Sequence, residues 1–331
     1  MTTPIIKPHC EYSELIEKLR SRGMAIDDDA RAIRKLSQIG YYRLSGFWYP
    51  CRKPKTDNDG NYLKDEKTKL PLRHDNFQEN VNISDIIDLY LFDKKLRQLM
   101  LDAVERIEIF MRSIIAHEIG KIDPLAYEKE DFINPKIIKT KRKKGNVVNY
   151  WFDWLHRLNH LVDISKEDSI ISHKANNKPI PFWAVVECWD YGLMSKYFEN
   201  MNGRCQNLVA KRLDLDNATM LTNWLVEIGL LRNKCAHHSR IWNRDFSNPI
   251  SLKGVQNDPY FQKLNLDEHA RKKLYGRIAV IWYLIKKIGP GSTWLLRVAD
   301  LVDSKPPVDS CPFTAMGFKD NSGFPRELFS I

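Results

Sequence analysis

One long segment constrains the fold more than any other part of the chain. It is SDIIDLYLFDKKLRQLMLDAVERIEIFMRSIIAHEIG, residues 84–120. Its apolar residues recur at the three- and four-residue spacing of an amphipathic helix. Ser84 is a residue type that caps helix starts, and Gly120 is one that ends helices. We therefore predict a single long helix over 84–120.

The helical period returns along most of the remaining chain. It predicts helices over 12–23, 27–40, 149–163, 181–200, 217–241 and 267–288. No run alternates apolar and polar residues convincingly, as buried strands do. The polar stretch 54–76 carries the turn signal NDG, which predicts a loop with at most a short hairpin. The predicted fold class is all-α, mainly helical.

The same pattern predicts how the chain is divided. We expect one elaborated helical domain over 1–300 and a proline-containing C-terminal tail over 301–331. Within the domain, 1–80 supplies N-terminal helices and an aromatic and loop segment. The segments 84–120 and 217–244 supply the core helices.

Charge and cysteine content narrow the class of protein. The net charge is +10 and the pI about 9.2, which favours a polyanionic partner. The six cysteines are scattered without a CxxC pair, so we expect neither a zinc site nor a dense disulfide framework. The N-terminus lacks the apolar core of a signal peptide, and the apolar stretch 278–285 is too short to cross a bilayer. We expect a soluble cytoplasmic protein with reduced thiols and no membrane partner.

The stretch RNKCAHHSR (232–240) places an arginine, an asparagine and two histidines at the end of a helical run. At about 100° per residue, Asn233 and His237 fall about 100° and 140° from Arg232. Gly229 lies in this polar arc one turn earlier and leaves space above it. His238 falls near about 240°, at the edge of the apolar stripe, where a packed or hydrogen-bonded structural histidine is the simpler interpretation. The apolar stripe, centred on the opposite side at about 260–340°, consists of Leu221, Trp224, Ile228, Leu231 and Cys235.

The Arg–Asn–His arc carries the groups that metal-independent RNA cleavage requires. The imidazole of His237 can take or give a proton when a 2′-hydroxyl attacks its own phosphate. The guanidinium of Arg232 can bind phosphate oxygens, while Asn233 can orient the imidazole or hold an oxygen. Efficient cleavage uses both an acid and a base, and a two-fold dimer would supply the second histidine. The plain alternative is a solvated surface histidine at 237.

Several segments together resemble one known family. RNKCAHHSR fits the R-N-x3-H motif typical of HEPN-superfamily ribonucleases. Over about residues 10 to 300, the chain resembles the Abi-like family of bacterial abortive-infection proteins, of the AbiD/AbiF type. The segments that carry this resemblance, in family order, are IGYYRLSGFWYP (39–50), DIIDLYLFDKKLRQLMLDAVERIE (85–108), PFWAVVECWDYGLMSKYF (181–198) and LRNKCAHHSRIWNR (231–244).

The resemblance implies a HEPN-type helical bundle with helical and loop elaborations. It implies a metal-independent endoribonuclease without a cofactor, acting at a homodimer interface, with catalytic roles for Arg232, Asn233 and His237. It further implies a part in phage defence or in a toxin–antitoxin system, restrained by a partner such as a small non-coding RNA. The family's Met-Gly-Phe-Pro element carries an insertion in AMGFKDNSGFP (315–325), which leaves the packing of the tail open.

Residues around the motif are expected to support it. The helix over 84–120 sets Glu105, Glu108 and Arg112 along one stripe. If this stripe packs beside the motif helix, Glu105 or Glu108 would fix the pose of Arg232. The alternative is an intrahelical Glu108–Arg112 pair. The supporting candidates are Glu105, Glu108, Arg112, His238 and Arg240.

A run without acids, INPKIIKTKRKKGN (133–146), is the main candidate for gripping RNA phosphates. Its basic residues would contribute affinity rather than sequence choice, although a solvated loop is the default for such a run. In GYYRLSGFWYP (40–50) the aromatics are expected in the core, and nearby arginines are the more credible RNA contacts. The RNA-binding candidates are Lys139, Lys141, Arg142, Lys143, Lys144, Arg43 and Arg52.

Two other functions stay open at this level. A non-catalytic RNA-binding or partner-binding module would need the basic run and no histidine. A metal-dependent hydrolase would use His156 and His160, which share a predicted helix face with Asp153 and Asp163. No cysteine or HExxH context supports zinc there, so no metal is expected.

Overall fold

A computed structural model describes residues 7–143 and 146–330. Within these ranges the chain forms fifteen α-helices and two small two-stranded sheets. The predicted mainly helical fold class is therefore confirmed. Within the same ranges, no helix combines the length and the apolar character that a membrane crossing requires.

The helices and strands are numbered in chain order. The helices are α1 (Tyr12–Ser21), α2 (Asp29–Ile39), α3 (Tyr41–Trp48), α4 (Ile83–Gly120), α5 (Pro135–Ile138), α6 (Tyr150–Ile164), α7 (Asp168–Ala175), α8 (Phe182–Val185), α9 (Tyr191–Asn200), α10 (Gly203–Lys211), α11 (Ala218–Ala236), α12 (Pro259–Leu264), α13 (Glu268–Lys272), α14 (Leu274–Ile288) and α15 (Trp294–Asp303). The strands are β1 (Arg52–Pro54), β2 (Arg73–Phe77), β3 (Lys141–Lys143) and β4 (Asn146–Val148). Strand β1 pairs antiparallel with β2, and β3 with β4, so the polar stretch 54–76 does form a hairpin.

The described chain folds as two compact units. Unit 1 contains the chain up to Leu96 together with Asp300–Ala315 and Asp320–Gly323. Unit 2 contains Arg97–Ala299, Met316–Lys319 and the chain from Phe324. The motif helix α11 and the helices α9, α10 and α14, which contact it, all lie in unit 2.

The long helix α4 begins one residue before its predicted start. It begins at Ile83, and the side chain of Asn82 accepts a hydrogen bond from the N–H of Ser84 at 2.8 Å. The capping role predicted for Ser84 was therefore wrong, because Asn82 stands just ahead of the helix and satisfies a first-turn donor.

Two other predicted helices are interrupted. The segment 181–200 forms α8 and α9, because Asp190 caps α9 by accepting a hydrogen bond from the N–H of Leu193 at 2.7 Å. The segment 267–288 forms α13 and α14, which are separated at Lys273, where the backbone is extended. In both places the helical period of the sequence continues through a break in the backbone.

An aromatic cluster positions α9 in unit 2. The indole of Trp154 on α6 donates to the carbonyl of Leu193 at 3.0 Å. Its ring lies 5.4 Å from the ring of Trp189 and 4.9 Å from that of Tyr197, measured between centroids. This packing fixes α9 against α6, and α9 also contacts the motif helix α11.

The tail beyond residue 303 has buried aromatic residues. In unit 2 the ring of Phe324 contacts those of Phe318 and Phe329, with centroids 5.7 and 4.8 Å apart. Trp282 of α14 donates to the carbonyl of Phe329 at 2.9 Å. The tail whose packing the sequence left open is thus part of the folded structure.

Candidate functional site

The RNxxxH motif lies at the C-terminal end of α11. The helix ends at Ala236, earlier than predicted, and His237 is its C-cap residue. The N–H of His237 still bonds to the carbonyl of Asn233 at 2.9 Å, so His237 keeps nearly the helical position assigned to it on the wheel. Its side chain is exposed to solvent. An imidazole in this position is open to a polynucleotide.

The chain leaves the helix through His238. Its N–H and that of Ser239 bond to the carbonyls of Cys235 and Lys234 at 3.0 and 2.8 Å, the pattern of a Schellman motif. His238 has φ 57°, the left-handed conformation that glycine usually supplies there. Because this residue turns the chain off the helical path, the wheel position predicted for His238 was wrong, and its side chain is exposed. After it, Arg240 is half-buried.

Arg232 and Asn233 line an open groove of about 360 Å³ between α9 and α11. Tyr191, Ser195 and Leu230 also line it. Arg232 is half-buried and donates to the carboxamide oxygen of Asn233 at 3.4 Å, a long hydrogen bond. The guanidinium and the carboxamide therefore share one groove, and His237 follows Asn233 one turn later on the same helix.

Gly229 packs against an aromatic ring. A Cβ atom at Gly229 would lie 2.8 Å from Cε1 of Tyr191, so the ring of Tyr191 on α9 packs directly against the backbone of α11. The space expected above Gly229 is therefore filled, because Tyr191 comes from α9, which the helical wheel of α11 does not include. The phenol of Tyr191 donates to the carbonyl of Leu225 at 2.7 Å, and its burial, with a contribution from Glu108, raises the pKa of Tyr191 well above its usual value. Tyr191 acts as a neutral wall of the groove.

The other charged side chains of the groove are paired. Arg157 of α6 binds Asp190 at 2.6 Å, and Lys196 binds Glu199 at 3.0 Å. Each of these pairs nearly cancels its own charge. Arg232 stands out from them because its contact in the groove is with a neutral carboxamide. A phosphate entering this groove would meet an uncancelled positive charge at Arg232.

Glu105 and Glu108, the two acids of α4 expected to fix the pose of Arg232, differ in their burial. The carboxylate of Glu108 binds Arg112 of the same helix, and both side chains are mostly buried. This is the intrahelical pair that the sequence left as an alternative. Glu105 is exposed. The negative charge of Glu108 contributes to the raised pKa of Tyr191, whose ring lines the groove.

A buried ion pair anchors the motif helix. Glu227 on α11 binds Arg277 on α14, and both side chains are fully buried. Arg277 also donates to the carbonyl of Asn248 at 2.8 Å and lies 3.8 Å from the centre of the Phe246 ring. Burial lowers the pKa of Arg277 to about 10, against the opposing effect of Glu227, so the guanidinium stays charged at neutral pH. The pair ties α11 to α14 and to the chain that follows the motif.

The sequence predictions missed this pair. A visible signal existed, because each residue is a single charge inside an apolar run, WLVEIGLL (224–231) and YGRIAVIWYLI (275–285). A charge in such a run is seldom fully buried unless it is paired. Two runs of this kind with opposite charges therefore indicate an ion pair between two core helices.

The RNA-binding candidates lie on different elements of the fold. Lys139 is exposed, and Lys141, Arg142 and Lys143 form strand β3, while Lys144 lies outside the described residues. In unit 1, Arg43 is exposed on α3. Arg52 is half-buried, binds Asp75 at 3.0 Å and lies 5.9 Å from the ring centres of Tyr49 and Phe77. Arg52 thus has a structural role in the β1–β2 hairpin.

The helix that carries His156 and His160 is amphipathic as expected. Both histidines are exposed on α6, opposite the buried Trp151 and Trp154. In the described part of the chain, no three histidine, cysteine, aspartate or glutamate side chains are grouped so that they could hold a metal ion. None of the six cysteines, each of them within the described ranges, is in a disulfide bond.

Comparison with known proteins gives one match. A family profile described as Abi-like protein matches residues 34–243. The search of curated proteins and the search of solved structures gave no match. The matched residues make up more than half of the chain and include α4, α9 and the motif helix α11. The chain belongs to the Abi-like family.

Proposed function

We propose that this protein is a metal-independent endoribonuclease of the HEPN type. The observation that carries the proposal is the placement of the motif. Arg232 and Asn233 line one open groove, and His237 is exposed at the end of the same helix. A purely structural role would not require Asn233 and His237 to be exposed beside a half-buried Arg232. The Abi-like family match, and the AbiD/AbiF resemblance of the sequence, support the same function.

In this proposal the RNA supplies its own nucleophile. The 2′-hydroxyl of one nucleotide attacks the adjacent phosphorus, and the leaving 5′-oxygen departs with a proton. His237 transfers one of the two protons, as acid or as base. Arg232 binds the phosphate oxygens and stabilises the charge that develops on them. Asn233 holds an oxygen or orients the imidazole. The products are a 2′,3′-cyclic phosphate and a 5′-hydroxyl.

The second proton transfer requires a second group. A two-fold homodimer that pairs the exposed ends of α11 would bring two copies of His237 to one phosphate. We therefore expect the specific activity to fall when the protein is diluted below the dissociation constant of the dimer. Light scattering at the same concentrations would show whether the loss of activity follows the loss of dimer.

The proposal extends to a biological role. Membership in the Abi-like family supports a part in abortive infection, in which a cytoplasmic toxin acts on RNA when phage attacks. A ribonuclease of this kind needs restraint in healthy cells. We propose that an RNA, such as a small non-coding antitoxin, provides it, because the chain has a net charge of +10.

The test is cleavage of matched RNA and DNA of one sequence, with and without a metal chelator. We expect the RNA alone to be cut, at the same rate in chelator, and the variants Arg232→Ala and His237→Ala to leave it intact. Cutting of both polymers, or of neither, would contradict the mechanism. Circular dichroism of each variant would show that the fold is retained.

A second function is favoured by one observation. The basic segment forms an antiparallel hairpin in which β3 consists of Lys141, Arg142 and Lys143. Such a hairpin could bind RNA without any catalytic histidine. If His237→Ala kept the cellular phenotype while Lys141→Glu with Lys143→Glu abolished it, a non-catalytic RNA-binding module would replace the nuclease.

A further inference from the structure

One tryptophan is exposed while all the others are buried. The chain has nine tryptophans, all within the described residues, and eight of them are at most 7% exposed. Trp183, at the start of α8, is 57% exposed. An indole gains much free energy on burial, and one left in solvent beside further apolar side chains marks a contact surface. Ile109 beside it is also exposed, at 56%.

A cavity of about 580 Å³ lies against this indole. Ile109, Ala116 and Val186 give it apolar walls, and Arg112 and Lys121 give it donors. Its volume falls in the range of pockets that hold one small ligand rather than that of a flat protein interface. An aromatic plane beside apolar walls and a few donors suits a flat, polar-edged ring.

The basic residues of this pocket are held by buried or half-buried acids. Arg112 binds Glu108, and Lys121 binds Glu118, which is 6% exposed. Because their charges are already matched, these residues are weaker ligands for a phosphate than a free lysine would be. Their remaining N–H groups can still donate. Within the described part of the chain, Nε of Arg112 is buried and has no hydrogen-bond partner.

The pocket and the motif groove share one stretch of chain. Trp183, Val186 and Glu187 line the pocket, and Asp190, further along the same stretch, lines the motif groove. The three residues from Glu187 to Asp190 span at most about 11 Å. A single oligonucleotide is therefore long enough to occupy both.

We propose that the Trp183 pocket binds one unpaired nucleobase of the RNA, stacked on the indole. The proposal rests on the nuclease function and adds a subsite to it. The base lies against Trp183 and Ile109, and Arg112 donates to an acceptor on its edge. Stacking of this kind tolerates any base, so the subsite selects single-stranded RNA over a duplex rather than one sequence.

The test measures binding with an oligonucleotide that cannot be cleaved. A short single-stranded DNA lacks the 2′-hydroxyl but keeps its bases, so it separates binding from the proposed reaction. Because Trp183 is the exposed tryptophan, quenching of intrinsic fluorescence by acrylamide reports on it. We expect the oligonucleotide to protect the protein from acrylamide. Trp183→Ala should bind about 5- to 150-fold more weakly, the effect of one stacked base, and Trp183→Phe should restore most of the affinity.

The matched control is Phe152→Ala. Phe152 is an aromatic residue of α6 that is 65% exposed and lines neither the pocket nor the motif groove. This variant should bind as the wild type does. Equal affinities for the Trp183→Ala and Phe152→Ala variants would overturn the proposal. So would protection of Trp183 that depends on protein concentration without nucleic acid, since a second copy of the chain would then occupy the pocket.

Two further arms complete the test. Mononucleotides should bind far more weakly than the oligonucleotide, and equal affinity would overturn the proposal in favour of a free-nucleotide site. RNA cleavage by the wild type and by Trp183→Ala is the second arm. If the wild type cleaves no RNA while Trp183-dependent binding persists, the nuclease function alone is contradicted. If Trp183→Ala cleaves RNA at the wild-type rate, this subsite alone is contradicted.

Discussion

The polar and charged residues in the two halves of helix α11 differ in their burial and in their hydrogen bonds. In the middle of the helix, Glu227 is fully buried and forms hydrogen bonds with Arg277 and Asn248. At the end, Arg232 is half-buried and Asn233 is exposed in an open groove, and His237 is exposed one turn later. One helix thus carries polar groups that are hydrogen-bonded within the core and polar groups that are accessible to a ligand.

This difference distinguishes polar residues that hold the fold together from polar residues that could act on a ligand. A buried charge is tolerated because its partners satisfy it, and the benefit is a fixed register between α11 and α14. The exposed end gains nothing comparable for stability. Under the proposed function, a bound RNA would account for its residue types, and the anchored half of the helix would hold them in position for it. Mutations in the two halves should accordingly affect different quantities.

The largest effect is expected at His237. His237→Ala should lower the rate of RNA cleavage by about 10²- to 10⁴-fold, because it removes a proton-transfer group. Its free energy of unfolding should change by less than about 0.5 kcal/mol, since the side chain is exposed. Gel-resolved cleavage rates and urea unfolding measure the two quantities. His238→Ala is the matched control, and equal losses of activity in the two variants would contradict the assignment.

Removing the buried acid should affect stability instead. Glu227→Ala leaves the guanidinium of Arg277 buried without its carboxylate, which should cost about 3 to 5 kcal/mol of unfolding free energy. Urea unfolding followed by circular dichroism measures the loss. Replacing both partners with apolar residues, Glu227→Leu with Arg277→Met, should recover most of it. If Glu227→Ala unfolds at the same urea concentration as the wild type, the pair does not anchor the helix.

A smaller effect on stability is expected at the contact between α9 and α11. In Gly229→Ala the added Cβ would meet the ring of Tyr191 at 2.8 Å, so the ring or the helix must shift. Overpacking costs about 1 to 3 kcal/mol, and the better helix propensity of alanine returns about 1 kcal/mol. We expect the free energy of unfolding to fall by about 1 kcal/mol and the affinity for RNA to weaken. The affinity is measured in proteins that also carry His237→Ala, so that the RNA is not cleaved. An unchanged affinity would show that the groove does not depend on this contact.

The smallest effect is expected at His238. His238→Gly removes the left-handed strain at φ 57°, and the larger entropy of glycine in the unfolded chain offsets part of the gain. The free energy of unfolding should rise by up to about 1 kcal/mol, and the cleavage rate should stay within a few-fold of the wild type. A large loss of cleavage would give His238 a role that its place in the helix cap does not explain.

The sequence predicted what depends on periodicity. The long helix α4, the helix that carries the motif, and the side of α11 that faces solvent all follow from the 3.6-residue spacing of apolar residues. The exposure of His237 was predictable because the Schellman cap begins only after it. The position of His238 was not, since a single left-handed residue turns the chain and no glycine announces it.

Features that join distant parts of the chain were harder to predict from the sequence. The ring of Tyr191 over Gly229 and the ion pair between Glu227 and Arg277 both link α11 to other helices, and a wheel of one helix contains neither partner. The break before Asp190 was hidden because the apolar spacing of 181–200 continues across it. The exposure of Trp183 also depends on tertiary packing, since the sequence alone treats a tryptophan in an apolar run as a core residue.

The central claim is that Arg232, Asn233 and His237 act on a ribose that attacks its own phosphate. The most direct test maps one cleavage site in an RNA and then rebuilds that RNA with a 2′-deoxynucleotide at this position only. We predict that cutting stops at the altered site and continues elsewhere, and that mass spectrometry finds 2′,3′-cyclic phosphate on the other products. Cutting that persists at the 2′-deoxynucleotide, or fragments that end in 3′-hydroxyl groups, would contradict the account.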